Sequence, residues 1–189
     1  MLDADGKPIW ASGRSNDVGV LLNGTSDNET LKTDFLEPGG LPGCTQNYQP
    51  HYQTITEPCQ VQIYEELSQD SDGVFTTSFV HRVKEIKDNR LLPRGFDKTT
   101  ADEEVAVQGS ALGDANFTGG GDTIHYSIAT GGGQGPWQVE AELWFQPVSY
   151  RWAQNLKAYD AFEPQRFVGY YETMAPGSGV MLAHAAASR

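Results

Sequence analysis

Residues 137–145 alternate without a break. Trp137, Val139, Ala141, Leu143 and Phe145 fall on one side of an extended chain, and Gln138, Glu140, Glu142 and Trp144 on the other. Successive side chains of a strand point to opposite faces, so this pattern predicts a strand with one face in a core and one in water. A strand must pair. Just upstream, Ile124, Tyr126 and Ile128 alternate with Thr123, His125 and Ser127, and the run Gly131-Gly132-Gly133-Gln134-Gly135-Pro136 joins the two segments. That arrangement predicts a hairpin with a long loop.

Further extended segments are predicted at 7–13, 17–22, 51–56, 60–66, 74–86 and 104–109, with a last one at 180–183. They are punctuated by 21 glycines and ten prolines. Asp3-Ala4-Asp5-Gly6 and Asp70-Ser71-Asp72-Gly73 have the composition of tight turns. The stretches 23–50 and 88–122 read as long, mobile loops. Together these features predict a mainly β fold, an antiparallel jelly-roll-like β-sandwich forming a single domain over residues 1–189.

The period changes over about 149–174. Trp152, Leu156 and Tyr159 recur at helical spacing, as do Phe167, Tyr170 and Met174, and Pro164 stands where the first turn of a second helix would fall. One or two short helices are expected there as an insertion, with the aromatic stripe turned into the core.

Charge narrows the function classes. Thirteen basic against 25 acidic residues give a formal net charge of −12. DNA and RNA gain affinity by releasing counterions to Lys and Arg, so neither nucleic acid nor an anionic membrane is an expected partner. No run approaches the roughly 20 apolar residues of a spanning helix, and residues 1–6 have neither the basic segment nor the apolar run of a signal peptide. The two cysteines, Cys44 and Cys59, leave two readings open: a disulfide, which needs an oxidising compartment, or two separate buried thiols.

The residues that carry chemistry form no recognisable catalytic set, and the chain is read as a non-enzyme. The Asp-rich turns fail as EF-hands, because Phe79 and Ser12 fall where a bidentate Glu must stand. A calcium ion held by loop carboxylates and carbonyls stays open as the one cofactor expectation. His51, His81, His125 and His184 contain no His-x-His pair, so no metal ligands are assigned. Gly177-Ser178-Gly179 lacks the frame of a nucleophile elbow, and Glu65-Glu66 and Asp102-Glu103-Glu104 are only adjacent acids. Three residues remain as contact candidates: His51 at a loop-to-strand junction, His125 on the polar side of its strand, and Trp144, which points away from the predicted core.

Longer segments carry a resemblance. Tyr48-Gln49-Pro50-His51-Tyr52, Gln60-Val61-Gln62-Ile63-Tyr64-Glu65-Glu66, Thr76-Thr77-Ser78-Phe79 and Lys87-Asp88-Asn89-Arg90-Leu91-Leu92-Pro93-Arg94-Gly95-Phe96 resemble a domain at the C-terminal end of bacterial multihaem c-type cytochromes. Leu2-Asp3-Ala4-Asp5-Gly6-Lys7, Ala11-Ser12-Gly13-Arg14, Gly121-Asp122 and Ile124-His125-Tyr126-Ser127 fit as well. The Cys-x-x-Cys-His haem-attachment motifs of that family are missing, as is its Gly-His-x-x-Pro-x-Gly segment. The resemblance implies a non-catalytic accessory domain in an electron-transfer setting, periplasmic or extracellular, with no haem of its own. The missing motifs leave open a truncated gene, a fragment of a longer protein or a stand-alone relative, with a haem-bearing protein or a missing N-terminal module as the expected partner. Their absence also implies an unpaired sheet edge near the N-terminus through which two copies would pair. Two other classes stay open: a glycan- or calcium-binding β-sandwich module, and a hydrolase of unrecognised type.

Overall fold

A computed structural model describes residues 1–31 and 48–189. The described residues hold seven strands and two α-helices: β1 (Thr54–Ile55), β2 (Glu66–Gln69), β3 (Phe75–Thr76), β4 (Lys84–Asp88), β5 (His125–Tyr126), β6 (Gln138–Phe145), α1 (Tyr150–Lys157), α2 (Phe162–Met174) and β7 (Val180–Ser188). They form three small sheets, β1-β5, β3-β2-β4 and β6-β7. Two compact units result. One comprises the described part of Met1–Asn47 with Glu57–Cys59 and Ile128–Arg189; the other comprises Tyr48–Thr56 and Gln60–Ser127.

The predicted jelly-roll β-sandwich is therefore wrong. No sheet among the described residues exceeds three strands, none closes, and the architecture mixes α and β. The physical reason lies in where backbone N–H groups go. Polar side chains take donors that strand ladders would otherwise use. Asn16 Oδ1 accepts from Val18 and Val20, Ser26 Oγ from Asn28 and Glu29, and Gln60 Oε1 from Thr56. Gln49 Oε1 accepts from Val61, Gln62 Oε1 from Tyr52, and Asn89 Oδ1 from Glu65. Segments 7–13, 17–22 and 60–65 are thus mostly unladdered, with a bend at Ser12–Gly13, a turn at Asp17–Val18 and isolated bridges such as Ser15–Leu21 and Leu22–Thr30. The Asp turns form as their composition predicts. Asp70 Oδ1 accepts from Asp72 and Val74, and Gly73 adopts the left-handed φ of 76° that closes the turn.

In the first unit β6 is a strand, but its partner is β7 in antiparallel register, running from Gln138 opposite Ser188 to Phe145 opposite Val180. The predicted hairpin does not form, because β5 pairs in parallel with β1 instead. α1 and α2 fall within the predicted insertion, with Pro164 in the first turn of α2. The buried face of α2 is not the aromatic stripe. Val168, Tyr171 and Ala175 are buried, while Phe167, Tyr170 and Met174 are exposed. The spacing i, i+3, i+7 is right and the phase is one residue off. Tyr171 packs with Ala153, Ala175, Val148 and Tyr150, and its hydroxyl donates to the Val18 carbonyl at 3.1 Å.

In the second unit the core is Val107, Ala111 and Phe117, flanked by Tyr64 and Leu92. Much of it comes from 88–122, the stretch expected to be a mobile loop. Two short 3-10 helices, Glu103–Val105 and Gly109–Gly113, fold that segment back, and Lys98 Nζ ties it down through the Ala111 carbonyl at 3.1 Å and the Asp114 carbonyl.

Candidate functional site

The chemistry-bearing side chains that converge lie in the second unit, around His51. Gln49, which precedes Pro50, anchors this stretch by accepting from Val61 N–H at 3.0 Å and from the Tyr52 hydroxyl at 2.9 Å. The imidazole is thereby directed inward, where it packs 5.0 Å from the Phe117 ring. Its side chain is fully buried, and those of Asp114 and Asp122 are 1% and 2% exposed.

Hydrogen bonds fix which ring nitrogen carries the proton. His51 Nδ1 lies 2.8 Å from Gln62 Nε2 and 3.1 Å from Asn89 Nδ2. Neither amide is free to flip. Gln62 Oε1 accepts the Tyr52 N–H at 2.8 Å; Asn89 Oδ1 accepts the Glu65 N–H at 2.9 Å, and Asn89 Nδ2 also donates to the Ile63 carbonyl at 2.9 Å. Both amides therefore offer N–H groups to Nδ1, which must accept. The ring proton sits on Nε2 and is donated to Asp114 Oδ2 at 3.1 Å, with Asp122 Oδ2 at 3.9 Å.

The carboxylates are held as firmly. Asp114 Oδ1 accepts the Asn116 N–H at 2.8 Å, and Asp122 Oδ1 accepts the Thr123 N–H at 2.7 Å. Burial acts to raise the pKa of Asp114. The Asn116 N–H, His51 and the Lys98 ammonium together outweigh it and leave that carboxyl below its ordinary 3.8. Tyr64 donates to Asp122 Oδ2 at 2.7 Å. Burial, with this bond and the adjacent charge, pushes the Tyr64 phenol well above its ordinary value, and burial alone pushes Tyr52 up to about 12. Beside the cluster, buried Lys87 reaches the Ile63 carbonyl at 2.9 Å and Glu65 Oε1 at 3.1 Å.

One ligand atom from each of His51, Asp114 and Asp122 lies within 4.8 Å of the others, a spacing that small metal ions bridge. The donor chemistry does not fit. A histidine that ligates through Nε2 ordinarily donates its Nδ1–H to an acceptor. Here Nδ1 faces two N–H donors, and the nitrogen aimed at the carboxylates already bears the hydrogen. The arrangement is a closed hydrogen-bond network that links four distant segments of one unit. Within it the imidazole is shielded from solvent.

The contact candidates differ in setting. His51 is buried, whereas His125 is exposed on β5 and Trp144 is 54% exposed on β6, its indole N–H donating to Glu142 Oε2 at 2.7 Å. Cys59 is buried and disulfide-bonded, and Cys44 lies outside the described residues. Asp114 and Asp122 were not singled out as site residues from the sequence. Asp122, Gln62, Tyr64 and Asn89 do all stand in the segments that carry the cytochrome resemblance, so those motifs converge on this network. Asp114 stands outside them, 63 positions after His51 in sequence.

The first unit holds the other feature of note. In β6–β7, Val139, Ala141 and Leu143 stand opposite Ala187, Ala185 and Ala183, which makes one face wholly apolar. Gln138, Glu140 and Glu142 stand opposite Ser188, Ala186 and His184 on the other. Every residue of β7 is exposed, and along β6 only Leu143 is half-buried. The expectation that this strand has one face in a core is thus corrected. Comparisons with family models, with curated proteins and with solved structures find no match to this chain.

Proposed function

We propose that this chain is a non-catalytic accessory domain that docks a partner through the apolar face of β6–β7, in the electron-transfer setting its cytochrome-like segments imply. The observation that carries this reading is the ribbon itself. An isolated two-stranded ribbon is marginal in water, and this one presents Val139, Phe145 and Val180 to solvent at 43%, 51% and 53% exposure. A contiguous exposed apolar face on a soluble domain marks an interaction surface. The His51 network supports the same reading, since its polar groups are engaged with one another and shielded from solvent. The disulfide at Cys59 fits a periplasmic or extracellular setting.

The test is retention of a haem protein. The immobilised chain is compared with a Val139→Ser/Leu143→Ser/Phe145→Ser variant, after circular dichroism shows that both fold. The reading predicts that a haem-staining protein from the source cell's envelope fraction stays on the parent chain and is lost from the variant. No retained haem protein, or equal retention by both, contradicts it.

A further inference from the structure

We infer that the outer edge of β7 accepts an additional strand from the partner, and that this strand alternates apolar with basic residues. The inference rests on the docking reading above and specifies the chemistry of what docks. Three observations on the ribbon carry it.

First, the edge is open. β7 pairs with β6 on one side, and among the described residues no strand or bridge occupies the other. The outer edge of β6, by contrast, is capped at one end, where Leu2 and Gln138 exchange N–H···O bonds of 2.8 and 3.1 Å. Second, β7 carries few of the devices that keep edges from pairing: apart from the register shift at Leu143/Trp144, which leaves Leu182 without a partner residue on β6, it pairs regularly from Ala183 to Ser188. Its nine residues, Val-Met-Leu-Ala-His-Ala-Ala-Ala-Ser, include no proline, no lysine and no acidic residue. Natural edges are usually blunted by such residues, and a long bare edge is a template for strand addition.

Third, the two faces dictate the chemistry of the added strand. On one face its side chains continue the apolar surface of Val139, Ala141 and Leu143. On the other its immediate neighbours are Ser188, Ala186 and His184. One strand further in lie Glu140, which interacts with the Met1 ammonium, and Glu142, which accepts from the Trp144 indole; neither forms an ion pair with lysine or arginine among the described residues. Two inter-strand spacings of ~4.8 Å separate the new strand from β6, a gap that extended Lys and Glu side chains span together. A second copy of this chain fits less well. Antiparallel pairing of β7 with itself adds no lysine or arginine to the acidic face, only a second His184, and joins two chains of net charge −12.

The experiment uses the full chain and nine-residue synthetic peptides, with binding read by fluorescence polarisation and oligomeric state by analytical ultracentrifugation. The probe alternates valine and lysine. One control has the same composition in two blocks, another alternates valine and glutamate, and a third is the probe N-methylated at every second backbone nitrogen. The inference expects a monomer that binds the probe, binds each control roughly tenfold or more weakly, and loses roughly tenfold affinity in Glu140→Lys/Glu142→Lys. Both glutamates are exposed, so the variant is expected to keep its fold, and circular dichroism checks this. Equal binding of the N-methylated peptide means adsorption by charge without strand addition and overturns the inference. So does failure to bind the probe, or a dimer that the Glu140→Lys/Glu142→Lys change leaves intact. If the probe fails while the haem protein is still retained through the apolar face, the strand claim falls and the docking reading stands.

Discussion

At the residue scale, the fold of the second unit depends on buried polar side chains whose partners are other buried or half-buried groups. Asn89 is the clearest case, because it is fully buried and serves Glu65 N–H, the Ile63 carbonyl and His51 Nδ1 at once. Each buried group left without a partner costs about 1–3 kcal/mol. Asn89→Ala is therefore expected to destabilise by roughly 3 kcal/mol in urea unfolding, and a loss under 1 kcal/mol would show the network to be dispensable. Asp114 makes a prediction in pH. Its carboxyl is held below 3.8 in the folded chain, so the stability it contributes is present above the unfolded value and is lost as pH falls through the folded one. Thermal melts from pH 5 down to pH 2 should fall less steeply for Asp114→Asn than for the parent below about pH 4, and parallel curves would deny Asp114 this role.

At the scale of elements, what the sequence discloses depends on whether a signal is local. The Asp70 turn was legible because its hydrogen bonds close within four residues. The β6 strand was legible from its alternation, but its partner was not, since pairing with β7 is a long-range choice that period two leaves open. For α2 the periodicity fits two registers one residue apart, and small Ala175 packed inside where larger Met174 was expected. The 88–122 segment shows no period at all. It nonetheless supplies Val107, Ala111, Asp114 and Phe117 to the interior, held by non-repetitive bonds from Lys98 and by close backbone approach. Gly119 marks that approach, because a Cβ there would lie 2.6 Å from the Phe96 carbonyl oxygen and 3.0 Å from that of Pro93. Gly113 in the same stretch faces open space. Gly119→Ala should cost about 1–3 kcal/mol and Gly113→Ala under 1 kcal/mol in either direction; equal effects would remove the close-packing account.

At the scale of the molecule, the two units divide the work. One closes its polar residues around His51, and the other leaves an apolar ribbon uncovered. The site was partly legible: His51 stood out, and the motifs holding Gln62, Tyr64, Asn89 and Asp122 were recognised as segments, without sign that they meet. No sequence spacing joins Asp114 to His51 across 63 positions, so the network that decides the state of the imidazole could be read only in three dimensions. That state separates a structural core from a metal centre, and nitrogen-detected NMR of the histidine rings reads it directly. Spectra of the full chain, with His51 assigned by elimination using His81→Gln, His125→Gln and His184→Gln, should show the proton on Nε2 and no change when zinc is added. A proton on Nδ1, with Nε2 shifting as zinc binds, would contradict the account and make the buried cluster a metal site.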